Sequence, residues 1–394
     1  MKAQLQQLFR PVRYALALPL FGLLFMTGRC TPPINYSYNY GDNKVAYVGT
    51  YTRTEGHVDG QARGIHRISV NQNTGAVIHN RLVAKVTNPS YLVTNKEGHR
   101  VYAVSELAHA DEPTGFLHVY DVRKKLHEIA KLPTNGQAPC HVELDKTEQF
   151  AIVSNYVGGT ATLYRMDGEN TREVEVFRVP PVALQGRDSW LHSANIAPDN
   201  KTVAICDKGL DKIWLFTLDQ EQERLLPHPQ VAFELEPGAG PRHAVWSPSG
   251  RFLYVINELN NSVDVIAHAP EKQRFTKVQN ISTLPGDFTG ESFCADIELS
   301  PDGRFLYGSN RGHNSIVSYR VNQASGLLEA AAWTPSGGDY PRNFTLTPNG
   351  NYLLVANQNS DNIVTMARDA ASGRLTPSGD HFELPTPVCL EFLK

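Results

Sequence analysis

Apolar and polar positions alternate in short bursts along most of the chain, and the bursts recur in a fixed order. Asn88-Pro89-Ser90-Tyr91-Leu92-Val93 leads through Glu97-Gly98 to Val101-Tyr102-Ala103-Val104. The order returns in Gly240-Pro241-Arg242-His243-Ala244-Val245, Ser249-Gly250 and Phe252-Leu253-Tyr254-Val255. It returns again from Cys294-Ala295-Asp296-Ile297 and from Tyr340-Pro341-Arg342-Asn343-Phe344, and with weaker turns from Pro139-Cys140-His141-Val142 and Leu191-His192-Ser193-Ala194. The turn marker falls at Gly98, Glu148, Asn200, Gly250, Gly303 and Gly350, so the spacings are 50, 52, 50, 53 and 47 residues. Each copy predicts two β-rich strands joined by a hairpin turn. A third strand such as Lys212-Ile213-Trp214-Leu215-Phe216 follows, and a fourth after a turn such as Asn71-Gln72-Asn73-Thr74-Gly75. Four short strands in about fifty residues make a propeller blade. A single such sheet cannot cover both its faces, so the blades stack around an axis.

Six copies are complete. Val45-Ala46-Tyr47-Val48-Gly49-Thr50 begins another blade without its innermost strand, and Pro387-Val388-Cys389-Leu390-Glu391-Phe392 is a first strand with nothing after it. Joining them gives an all-β, seven-bladed β-propeller whose ring is closed by the C-terminal strand, which removes the open edges. A solenoid would need polar capping repeats at its ends. Both ends here are apolar half-blades. The propeller is expected over residues 45–394.

Composition adds limits. Of 394 residues, 41% are apolar and 20% charged, as in ordinary globular proteins. The formal charge is -3, which gives no basic footprint for nucleic acid. Ahead of the repeats, Met1 to Tyr14 carries Lys2, Arg10 and Arg13 and no acid, and Ala15 to Met26 is apolar. That run has the length of a signal-peptide core and is short for a membrane span. Residues 1–30 are therefore expected to be an export segment and 31–44 a polar tether, with the protein periplasmic or membrane-anchored. Thr27-Gly28-Arg29-Cys30 resembles a lipoprotein signal, although Arg29 departs from the small residue usual before the lipidated Cys. Cys140, Cys206, Cys294 and Cys389 fall in different repeats, without CxxC or Cys/His metal spacing, and are expected to be buried free thiols. No cofactor and no metal is expected.

A propeller collects chemistry at one mouth of its channel, from the starts of the innermost strands and the turns after the second strands. The first position carries His141, His192, Arg242 with His243, Asp296 and Arg342. The second carries Glu106, Asn155, Asp207, Asn257-Glu258, Asn310-Arg311 and Asn357-Gln358. Arg holds carboxylate or phosphate through paired hydrogen bonds, and His and Glu move protons near neutral pH. The set suits an anionic, oxygen-rich small molecule. The Asn that recurs in four blades reads as a turn-stabilising residue. His192, Arg242, Glu258 and Arg311 are the catalytic candidates, and His141, His243 and Arg342 the substrate-binding ones. No GxSxG, HExxH or Gly-rich phosphate loop is present, which favours attack by water over a covalent nucleophile.

Several segments together resemble the lactonase seven-bladed propeller family, which includes the bacterial propeller-type 6-phosphogluconolactonase and the fungal carboxymuconate lactonising enzyme. They are Tyr47-Val48-Gly49-Thr50-Tyr51-Thr52, His192-Ser193-Ala194-Asn195, Gly240-Pro241-Arg242-His243, Asn257-Glu258-Leu259-Asn260, Ser309-Asn310-Arg311-Gly312-His313 and Tyr340-Pro341-Arg342-Asn343-Phe344. The resemblance implies a metal-independent enzyme acting on a lactone ring, with a His, two Arg and a Glu falling on His192, Arg242, Arg311 and Glu258. Many members carry a second His two residues before the first; this chain has Trp190 there.

The expected function is hydrolysis of a sugar lactone, possible substrates including 6-phosphogluconolactone, with Glu258 or His192 activating water. The alternatives are a muconate-type cycloisomerase and a non-catalytic exported propeller that binds a ligand. The expected partner is a small lactone or anionic sugar acid, with membrane contact only through a lipid on Cys30. A tagged full-length chain should fractionate outside the cytoplasm, and Cys30→Ser should release it from membranes if that Cys is lipidated. Recovery from the cytosol with Met1 retained would overturn the export expectation.

Overall fold

The computed structural model describes residues 41–55, 58–108 and 113–394. The expected export segment and tether, with Cys30, lie outside the described residues apart from the last few tether positions. The described chain forms seven four-stranded antiparallel sheets and one small hairpin, Thr54–Glu55 with Val58–Asp59. Blades 2 to 7 occupy residues 92–133, 137–178, 191–234, 241–282, 293–335 and 341–383 in chain order. Blade 1 takes its outer three strands from residues 43–84 and its innermost strand from Pro387–Phe392. The first strands of successive blades touch one another around the ring.

The blades are joined by apolar side chains from both sheet faces. Phe150, Ile152 and Leu163 of blade 3 pack with Ile205, Trp214 and Phe216 of blade 4. At the closure, Val48, Leu390 and Phe392 pack with Leu354 and Ile363 of blade 7, while Tyr47 and Cys389 pack with Leu92 and Val101 of blade 2. The four described cysteines are buried and unbridged.

One irregularity repeats. Near its start the innermost strand carries a β-bulge, so one residue has no partner on the second strand. That residue is Cys140 in blade 3, His192 in blade 4, Arg242 in blade 5, Arg342 in blade 7 and Val388 in blade 1. In blade 6, Ala295 and Asp296 together occupy the interval opposite Ser309. A bulge breaks the alternation of faces and re-aims a side chain. In five blades the approach is the same: a residue with positive φ (Asn88, Ala138, Gly240, Tyr340 or Thr386) followed by Pro. Pro fixes the next turn of backbone and has no N–H to leave unpaired where the ladder begins.

Pro387–Phe392 is paired from Phe392 opposite Ala46 to Pro387 opposite Thr50. It is also tied sideways: Glu391 Oε1 accepts from the Thr94 amide at 3.1 Å, and the Leu390 amide donates to Asn343 Oδ1 at 2.7 Å. Val388, Leu390 and Phe392 are buried. Burial of each such side chain contributes about 1.5–3 kcal/mol, and a domain's net stability is roughly 5–15 kcal/mol. Deleting 387–394 should therefore lower the stability of the whole ring, read as a single melting transition shifted down by well over ten degrees. A truncated chain melting within a few degrees of the parent would refute closure as a global constraint.

Candidate active site

Two rings of side chains meet at one mouth of the channel. The first is the set of bulge residues. The second is the residue just past the polar side chain near the end of each second strand: Tyr51, Glu106, Tyr156, Lys208, Glu258, Arg311 and Gln358 in blades 1 to 7. Cys140, His192, Arg242 and Arg342 from the first ring, and all of the second ring except Gln358, line a cavity of about 170 Å³. The hairpin of blade 1 adds Glu55 and Val58 to its wall. The polar residues just before those of the second ring brace turns instead: Asn155 Nδ2 donates to the Thr134 carbonyl at 2.8 Å, and Asn310 Nδ2 to that of Thr283 at 2.8 Å.

Glu258 is the hub. Its Oε1 lies 2.6 Å from Lys208 Nζ, and its Oε2 lies 3.1 Å from an Arg311 terminal nitrogen and 3.2 Å from Arg242 Nε. The last is a charge contact without hydrogen-bond alignment. Burial alone would push the Glu258 carboxyl up, but Arg311, Lys208 and Arg242 hold it well below the usual carboxylate range. Arg311 also donates to the carbonyls of Phe293 and Cys294, and lies over the Tyr340 ring. Burial, then Arg311 and Arg342, lower Arg242 to about 10, so it stays a cation at neutral pH.

His192 stands beside these cations. Burial, then Arg242, His243, Lys208 and Arg342, push its imidazole well below 6.5, so it is neutral at physiological pH. Its Nδ1 faces Cys140 Sγ at 3.8 Å, and its Nε2 has no protein partner among the described residues. Tyr156 packs edge-on against the ring and stacks on Trp190. On the far wall Arg342 donates to the Tyr51 hydroxyl at 2.9 Å, which donates to Glu106 Oε2 at 2.9 Å. Glu106 Oε1 has no protein partner among the described residues. Among the described residues, Lys208, Arg242, Arg311 and Arg342 against Glu55, Glu106 and Glu258 leave one positive charge in excess.

His192, Arg242, Glu258, Arg311 and Arg342 are thus brought to one cavity. His141 and His243 are not: each follows a bulge residue and lies in a deeper layer, with ring centroids 5.4 Å apart. His141 lines neither this cavity nor the much smaller one beneath it, and His243 lines only the smaller. Both Glu258 oxygens are engaged, whereas His192 has a free nitrogen, so His192 is the better placed to take a proton. Lys208, Tyr51, Tyr156 and Glu106 complete the wall and are not among the catalytic and substrate-binding candidates named from the sequence. Their signal was the repeat position they share with Glu258 and Arg311. Among the described residues no group of three or more His, Cys, Asp and Glu is arranged to hold a metal ion.

A family model described as lactonase, 7-bladed β-propeller, matches residues 45–392. The chain belongs to this family. Among lactonase propellers it is 31% identical to the 6-phosphogluconolactonase of Bacillus subtilis over 356 residues, covering 89% of this chain and 98% of that one. It is 31% identical to the 6-phosphogluconolactonase of Formosa agariphila over 310 residues, covering 76% and 85%. The solved structure of the periplasmic gluconolactonase of Pseudomonas aeruginosa superposes with a TM-score of 0.81 at 29% identity, covering 89% of this lactonase propeller and 99% of that chain.

The hub makes a stability claim. Glu258→Gln leaves three adjacent cations without their anion, and removing one partner of a buried pair typically costs about 3–5 kcal/mol. Because the folded carboxyl is depressed, its stabilisation is present above the unfolded range near 4.3 and lost as pH falls through the folded value. The variant should melt well below the parent at pH 7, and the gap should narrow below about pH 4.3. Adding Lys208→Met should recover part of the loss. Equal melting temperatures at pH 7 would remove Glu258 from the centre of the network.

Proposed function

We propose that this chain hydrolyses a sugar lactone by direct attack of water, with His192 as the base. The observation that carries this reading is a neutral imidazole, its Nε2 free, in a cavity whose wall is rich in fixed guanidinium and ammonium groups. Nε2 takes a proton from the water as its oxygen bonds to the lactone carbonyl carbon. The carbonyl π electrons move onto oxygen, giving a tetrahedral oxyanion. Arg242 and Arg311, fixed before substrate arrives, stabilise that charge; one such donor is worth about 10²–10³ in kcat. The same cations disfavour an imidazolium in the resting site, and the oxyanion offsets that repulsion as it forms. Collapse breaks the ring C–O bond, and the proton on Nε2 passes to the leaving alkoxide.

Glu106 Oε1 supplies an acceptor for substrate hydroxyls on the opposite wall, which suits a polyol chain. Relatives named 6-phosphogluconolactonase and gluconolactonase support a sugar-derived lactone. The basic, apolar N-terminus and the likeness to a periplasmic gluconolactonase support action outside the cytoplasm.

The test is pH-stat titration of the purified chain with glucono-lactone, 6-phosphogluconolactone and a muconate. Ring opening should release one proton per turnover from a sugar lactone, with no loss of muconate diene absorbance. His192→Asn should lower kcat by about 10²–10⁴. Arg311→Ala should lower kcat by about 10²–10³ and raise KM as well. Diene loss without proton release would identify a cycloisomerase, and no turnover of any lactone would leave a binding propeller.

A further inference from the structure

Arg242 is held from behind by groups of residues that do not line the main cavity. One terminal nitrogen donates to the Ala295 carbonyl at 2.6 Å and lies 3.2 Å from His243 Nε2. A guanidinium nitrogen can only donate, so Nε2 is the acceptor and carries no proton. The proton is then on Nδ1, which lies 2.8 Å from Asp296 Oδ1. Asp296 is fixed in turn, because its Oδ2 accepts from Asn343 Nδ2 at 2.5 Å and from the Phe344 amide at 3.3 Å. Blades 5, 6 and 7 are thereby linked through one chain of hydrogen bonds that ends on a cavity cation.

We propose that His243 and Asp296 are positioning residues that aim the Arg242 guanidinium through a single His243 tautomer, protonated on Nδ1. This rests on the reading of Arg242 as an oxyanion donor. The imidazole has little freedom to do otherwise. Its ring packs against His192 at 5.1 Å, His141 at 5.4 Å and Tyr91 at 5.8 Å, edge to face or nearly so. Burial, then Arg242 and Arg342, keep it neutral, against a smaller opposing pull from Glu258. A protonated ring would have no lone pair for Arg242, and the other tautomer would set an N–H against an N–H. Asp296 reads the tautomer from one side and Arg242 from the other.

Two amide replacements separate aiming from packing. In His243→Gln the amide reaches the place of Nε2 and can accept from Arg242, but gives up Nδ1–H. In His243→Asn the amide stands in for Nδ1–H toward Asp296 and leaves Arg242 without its acceptor. If His243 aims Arg242, the Asn variant should lose about 10–100-fold in kcat with KM within about twofold, while the Gln variant keeps most of the turnover. Equal losses in both variants, or a Gln variant worse than the Asn variant, would overturn the proposal and leave His243 a packing residue. Nitrogen NMR of the ring in the unliganded parent reads the tautomer without any substrate. It should show a protonated Nδ1 and a bare Nε2 at neutral pH, and a protonated Nε2 would refute the proposal. Absence of lactone turnover in the parent would count against the hydrolase reading, and the NMR result would still decide the tautomer.

Discussion

The innermost strand of every blade is an edge strand in the middle of a protein. One side pairs with its own sheet; the other faces the channel, where amides would otherwise stand unpaired. The chain meets this constraint by crossing from blade to blade. Asp296 accepts from the Phe344 amide, Glu298 from that of Leu346, Asn343 from that of Leu390 and Glu391 from that of Thr94. The channel is therefore lined with acids and amides for structural reasons. Burial pushes Glu143 up to about 7 and raises Glu298 and Glu391 as well, as expected of carboxyls in a crowded interior.

At the other end of the channel the same strands stop obeying the ladder. In five blades the bulge releases one side chain from pairing, and four of these, Cys140, His192, Arg242 and Arg342, reach the mouth, where cations outnumber acids among the described residues. Packing so many cations together is costly unless an anion is shared among them, and Glu258 fills that need. A carboxylate that looks like an acid–base catalyst in one dimension is, in three, the counter-ion that lets Lys208, Arg242 and Arg311 stand side by side. Fixed donors of this kind need no rearrangement when charge develops on a substrate.

The fold was legible because it is written redundantly. Gly98, Gly250, Gly303 and Gly350 mark hairpins at a nearly constant spacing, and the half-blades at Val45 and Pro387 complete each other. The site was legible only in part. His192, Arg242, Glu258 and Arg311 stand out by chemistry at repeat positions, yet Lys208, Tyr51 and Tyr156 hold the same position as Glu258 and are by type ordinary residues near a strand end. His141 and His243 went the other way. Aligning His141 with His192 puts the register off by one, because the bulge partner of His192 is Cys140. A slip of one residue turns a side chain to the opposite face, and nothing in the local composition announces a bulge.

The lateral tie between Glu391 and Thr94 joins residues 297 positions apart. The strand that carries Glu391 is made after every other strand of the ring, so through most of synthesis blade 1 waits with an open inner edge. Contacts that distant make folding slow and keep it cooperative to the end. The bulges of blades 3 to 7 could form earlier, but the Arg342–Tyr51–Glu106 wall of the cavity needs blades 7, 1 and 2 to be adjacent. Closing the ring and completing the site are consequently one event: a half-made propeller has no working pocket to expose.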